Sequence, residues 1–262
     1  MSSGRKDQFA VEGEPANGRD LVAASSCSVY ETSLFLAILF DSPRQTTTIL
    51  SHLIPDLYSN ITTPLFHLTT LLSLVHHLAA AYPSQNTFRQ HLRSLPHSLL
   101  CPDSQSHVWI ASLASCLRSL NYSKFEELTR PSSFLSLLRV THEPNRKDSS
   151  ATVPTSISAP LDTSYSSLNL AKRAFYALVD SLRTKAREKT WHVIRSAYRE
   201  LACHSESGTS RDWLERSLSL QPIVSACKGV DVDEWLEKKS QEGQVRKKDG
   251  ASEGRWIVCK VR

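Results

Sequence analysis

The chain has 262 residues, a formal net charge of +5, 40% hydrophobic residues and eight glycines. That length buries a substantial core, as one large domain or two small ones. So few glycines argue against a turn-dense all-β fold and against a glycine-rich nucleotide cradle.

The charge is modest in total, so its placement matters more. The first half is nearly balanced, whereas 172–199 and 238–262 are basic. A basic second half suggests an anionic partner such as nucleic acid, or else a solvated surface. Residues 1–25 are rich in Gly, Ser and charge, which predicts a disordered N-terminus. Over 30–40, Leu34, Phe35, Ile38 and Leu39 recur at helical spacing. Asp41-Ser42-Pro43 ends that helix and starts the next, with Ser42 as N-cap and Pro43 at the first helical position. Ile49, Leu50, Leu53 and Ile54 form its apolar stripe, and Pro55 ends it.

The run 65–82 is interrupted by His67, Thr69, Thr70, Ser73, His76 and His77. It falls short of the roughly 18 apolar residues that a membrane span needs and reads as a buried core helix. Shorter helices follow over 87–95 and 104–120, from Asn121 through Phe125 and Leu128, and from Pro131 through Phe134, Leu135 and Leu138. Each offers one apolar face and must stack on its neighbours. A right-handed stack of antiparallel helix pairs is the expected architecture.

The stretch 141–167 is rich in Ser, Thr and Pro and reads as a flexible insertion. The longest periodic segment is 168–201, with Phe175, Leu178, Val179, Leu182, Ala186, Val193 and Ala197 on one side. Lys172, Arg173, Arg183 and Arg187 fall on the other, with Trp191 near their edge. That side is either a solvated face or a phosphate-binding stripe, and Trp191 is either core or a base-stacking platform. Beyond it, helices are expected over 211–218 and 232–239 and strands over 244–248 and 256–261. Short helices followed by a hairpin are the parts of a winged helix.

The six cysteines have no zinc-ligand spacing, and no catalytic fingerprint appears. His76 and His77, adjacent on a helix, point apart, and His67, His91, His97 and His107 show no ligand spacing. The expectation is a protein without catalytic residues, metal or cofactor. The polar start predicts no secretory signal, hence an intracellular protein with free buried thiols.

The run 113–125, an apolar helix leading into Asn121-Tyr122-Ser123-Lys124-Phe125, resembles an Asn-Tyr-x-x-Phe signature. That signature occurs in the suppressor-of-actin/GANP family of messenger-RNA export scaffolds and their small centrosomal relatives. The segment 36–55 is similar to the preceding helix of that family, and 171–201, with Arg195-Ser196-Ala197-Tyr198-Arg199, resembles its later long helix. Gly254-Arg255-Trp256-Ile257-Val258 suits the wing of its winged helix. The resemblance spans about 30–262.

It implies a mainly α, PCI-like helical repeat over 26–201, capped by a C-terminal winged helix with a small β-hairpin over 202–262. It also implies a nuclear, non-catalytic scaffold in messenger-RNA export, with cytoplasmic or centrosomal sites as alternatives. Such a scaffold pairs with another PCI-type or a small acidic subunit and contacts RNA or DNA, with no membrane and no small-molecule substrate.

The candidate nucleic-acid contacts are Lys172, Arg173, Arg183, Arg187, Lys247 and Lys248, and the candidate partner contacts are Trp256 and Val258. Asn121 as a helix cap, with Tyr122 and Phe125 packed on the preceding helix, reads as structural. The competing readings are a protein-only subunit of a proteasome-lid or signalosome-like complex and a spindle-associated relative. A continuous positive surface from the long helix to the wing would favour nucleic acid. An exposed apolar wing edge would favour protein pairing alone.

Overall fold

The structure, a computed structural model, describes residues 18–58, 63–138, 162–203, 208–223, 229–248 and 254–260. It is mainly helical: α1 (Gly18–Leu39), α2 (Pro43–His52), α3 (Phe66–Ala81), α4 (Asn86–Ser94), α5 (Gln105–Arg118), α6 (Tyr122–Leu128), α7 (Pro131–Phe134), α8 (Asp162–Ala197), α9 (Gly208–Ser217) and α10 (Val232–Gln241). A π-helical turn, Leu53–Leu57, continues α2 through Pro55. Three short strands, β1 (Glu200–Ala202), β2 (Val245–Lys247) and β3 (Arg255–Val258), form an antiparallel sheet in the order β1-β3-β2.

Two cores organise the chain. The first gathers Phe35, Leu53, Leu72, Val75, Phe88, Leu113, Phe125, Phe134 and Phe175 from α1 to α8. Trp109, Phe134 and Phe175 meet at ring centroids 5.3–6.1 Å apart. The second gathers Trp191, Leu201, Leu214, Leu218, Trp235, Leu236, Val245, Trp256 and Val258. Helix α8 serves both, with Ala171 through Ala186 in the first and Trp191 and Ile194 in the second. Helix α3 is buried almost all round between its neighbours, as its apolar content predicts.

The buried Glu31 carboxylate accepts hydrogen bonds from the Tyr58 hydroxyl at 2.6 Å and the Thr63 hydroxyl at 2.5 Å, tying both ends of the 58–63 connection to α1. Asn121 caps α6: its Oδ1 accepts from the Lys124 backbone N–H at 3.2 Å. Tyr122 and Phe125 are buried behind it. Asn121→Ala is expected to lower stability by about 1 kcal/mol, read as a shift of the urea midpoint at constant slope. An unshifted midpoint would contradict the cap.

Several expectations change. Helix α1 already begins at Gly18, so 18–25, read as disordered, is helical, while the rest of that segment lies outside the described residues. Helix α8 begins at Asp162, inside the stretch read as a loop, most of which is likewise outside them. The Ser42 side chain makes no cap; instead its carbonyl accepts from both the N–H and the hydroxyl of Thr46 at 3.0 Å. Leu201 is in a strand, because β3 claims the backbone just after α8, with the Val258 N–H donating to the Arg199 carbonyl at 2.9 Å. The expected hairpin is therefore the right two strands of a three-stranded sheet.

Candidate nucleic-acid interface

The cationic side of α8 is not one surface. Lys172 is half-buried and Arg173 exposed in its first third. Arg183 is only 1% exposed, and its Nη2 donates to the carbonyls of Ser219 (3.2 Å) and Gln221 (2.7 Å). Arg187 donates through Nε to the Leu218 carbonyl at 2.8 Å and through Nη2 to Ser219 at 2.9 Å, with its guanidinium 5.7 Å from the Trp235 ring centroid.

The physical cause is the turn after α9, where the carbonyls of Leu218, Ser219 and Gln221 lie beyond the helix and the two guanidinium forks supply donors to them. Burial pushes the pKa of both arginines down without neutralising them. Arg183 and Arg187 are therefore pins between α8 and the C-terminal unit, and their assignment as phosphate contacts is withdrawn. Their loss from the surface also breaks the expected positive stripe. Lys172 lies ~28 Å along the helix axis from Trp191, where the C-terminal core begins.

Trp191 is core. It packs edge-on against Trp235 at 6.4 Å, and its Nε1 donates to Gln244 Oε1 at 2.6 Å. Trp256 and Val258 are 2% and 7% exposed, on the sheet face that covers the helices. They are corrected from partner contacts to core, and they offer no exposed apolar wing edge. Lys247 lies against this inner face, its ammonium 5.3 Å from the Trp256 ring centroid and 3.4 Å from Glu237. Lys248 lies on the other face, 3.0 Å from Glu200. Adjacent strand residues point to opposite faces, so Lys247 and Lys248 cannot act as a pair.

The outer sheet face carries what the sequence reading missed. The register puts Ile257 between Arg246 on one side and Glu200 on the other, and the next row places Arg255 beside Ala202. The Lys248 N–H donates to the Arg255 carbonyl at 3.1 Å, which extends that row by one cation. On this face Glu200 is held by Lys248 and lies 3.7 Å from Arg255. Arg246 is exposed and makes no side-chain ion pair among the described residues. The period-two alternation of Val245-Arg246-Lys247-Lys248 was the available signal.

Beside the free edge of β1 runs a cleft of about 490 Å³, lined by Tyr198, Glu200, Ala202, Cys203, Trp213 and Leu214. The Tyr198 and Trp213 rings meet at 5.4 Å, and Tyr198 is 47% exposed. Burial pushes the Cys203 thiol up to about 11, so it is no nucleophile at neutral pH. Helix α10 is anchored by Arg211 of α9, which bonds Asp231 at 2.7 Å and Asp233 at 2.6 Å. Its exposed residues include Glu234 and Glu237.

Among the described residues no three His, Cys, Asp or Glu side chains are arranged to hold a metal ion, and no helix is long and apolar enough to cross a membrane. Comparison of the chain with family models, with curated proteins and with solved structures finds no match.

Proposed function

We propose that this chain is a non-catalytic scaffold of the suppressor-of-actin/GANP type. In this reading a PCI-like helical layer is capped by a winged helix, and the protein acts in nuclear messenger-RNA export. The topology of the C-terminal unit carries the reading. A helix end, a strand, two helices and two strands, with the sheet order β1-β3-β2, agree with the connections expected of a winged helix. That unit is joined to the helical layer by α8, which is built into both cores, and α6 packs on α9. The buried Tyr122 and Phe125 behind the Asn121 cap agree with a structural signature at that point. Pairing with another PCI-type or a small acidic subunit belongs to the same reading, and so does nucleic-acid contact through the basic C-terminal unit.

Two measurements test it: binding of the purified full chain to labelled single-stranded RNA across a salt series, and nuclear polyadenylated RNA after depletion of the protein. Salt-sensitive binding together with nuclear RNA accumulation is expected. A folded chain that binds no RNA at low salt, with normal RNA distribution after depletion, would overturn the reading. A protein-only subunit is the second reading. It is favoured by the exposed Val29 and Leu36 on one face of α1 and the exposed Phe40 just after it, which leave apolar surface in solvent.

A further inference from the structure

We propose that the outer face of the three-stranded sheet, rather than α10 or the side of α8, is a single-stranded nucleic-acid site. Arg246, Lys248 and Arg255 would carry the phosphates, and the Tyr198–Trp213 cleft would hold a base. The proposal rests on the nucleic-acid half of the function given above.

The argument is one of placement. Arg246 and Lys248 are two apart on one strand, so their side chains leave the same face about 7 Å apart. Arg255 lies on the neighbouring central strand. Half-buried Ile257 sits among these cations and gives the face an apolar centre. The cleft along β1 borders the same face through Glu200 and Ala202, and its ring pair offers an exposed aromatic surface. Aromatic platforms beside a cationic track bind single strands with little regard to sequence. Helix α10 is a poorer alternative, because Glu234 and Glu237 outnumber Lys238 among its exposed residues and disfavour a polyanion. The side of α8 keeps only Lys172 and Arg173, because Arg183 and Arg187 are used inside.

Glu200 gives the proposal its sharpest test. Its carboxylate holds Lys248 and lies against Arg255, so it competes with an incoming phosphate for both. Removing its charge tightens binding if the site is real, and a gain cannot be mistaken for misfolding.

The experiment is fluorescence anisotropy of the full chain with a labelled oligouridylate, with polyglutamate as competitor. Three phosphates neutralised correspond to a slope of about −2 in log affinity against log salt. Arg246→Glu is expected to weaken binding at least tenfold, Tyr198→Ala about tenfold and Lys172→Glu/Arg173→Glu not at all, while Glu200→Gln tightens it about threefold. Loss of binding in the Lys172/Arg173 variant with Arg246→Glu unaffected would sink this site and leave the chain an RNA binder. No binding by the unaltered chain would overturn the underlying reading as well. Competition by polyglutamate as strong as by unlabelled RNA of equal charge would overturn nucleic acid as the ligand, in favour of an acidic polypeptide.

Discussion

Arg183→Ala is expected to lower stability by about 3–5 kcal/mol and to leave RNA affinity per folded molecule unchanged. The guanidinium is buried between α8 and the turn after α9, and its two hydrogen bonds go to the Ser219 and Gln221 carbonyls. Truncation takes the donor from the Gln221 carbonyl and one of two from the buried Ser219, and it removes a buried charge that acts on the buried Glu126. Losses of that size follow the breaking of buried charged networks, whereas exposed lysines and arginines usually change stability by less than about 0.5 kcal/mol. Intrinsic fluorescence in urea suits the measurement, because Trp191, Trp213, Trp235 and Trp256 all belong to the C-terminal core or pack on it. A loss below about 1 kcal/mol, or a specific loss of RNA affinity in a fully folded variant, would return Arg183 to the surface role that its spacing suggested.

The second large effect is acid lability centred on α3. His76 Nε2 lies 3.0 Å from the Thr47 hydroxyl, His91 Nε2 lies 2.8 Å from the Ser73 hydroxyl, and the His77 and His91 rings approach to 4.1 Å. Burial first, then the neighbouring His77 and Lys185, pushes His76 down to about 4. Burial and the other two histidines push His91 to about the same value, and burial lowers His77. Each folded value lies below that of the unfolded chain, so the unfolded state binds the extra protons. Stability is therefore full above pH 6.5 and falls as pH drops through the window from about 6.5 to about 4. His76 alone accounts for about 2 kcal/mol at pH 5, and the more open His91 for less. Urea midpoints at pH 7 and pH 5 should separate accordingly. The double variant His76→Gln/His91→Gln should flatten that slope, and equal slopes in both proteins would contradict the cluster's role.

Much of the architecture was legible in the sequence because its helices punctuate themselves. Pro43 and Pro131 start helices, Asn121 caps one, and the leucine periodicity of 65–81 fits a helix buried all round. The sheet was half legible: the β-branched end of the chain marked β3, but the three residues of β1 follow a 36-residue helix without any strand pattern of their own. Only pairing with β3 makes them a strand, and pairing is non-local. The site was least legible. Helical spacing placed Arg183 and Arg187 opposite the Phe175–Leu182 face, which means solvent only for a helix packed on one side. Helix α8 carries the first core on one side and the 218–221 turn after α9 on the other, so the same spacing put them inside. On the sheet, adjacency suggested Lys247 and Lys248 as a pair, whereas strand geometry joins Lys248 with Arg246 and Arg255.

The most direct test is photo-crosslinking of the full chain to a single-stranded RNA carrying a photoreactive uridine, with the attachment sites mapped by mass spectrometry. Attachment at Tyr198 or Trp213 and within 254–257 is expected, and it should disappear in Arg246→Glu. Attachment confined to α10 or to the Lys172–Arg173 turn of α8, or none at low salt, would contradict the outer sheet face as the place where this protein meets its ligand.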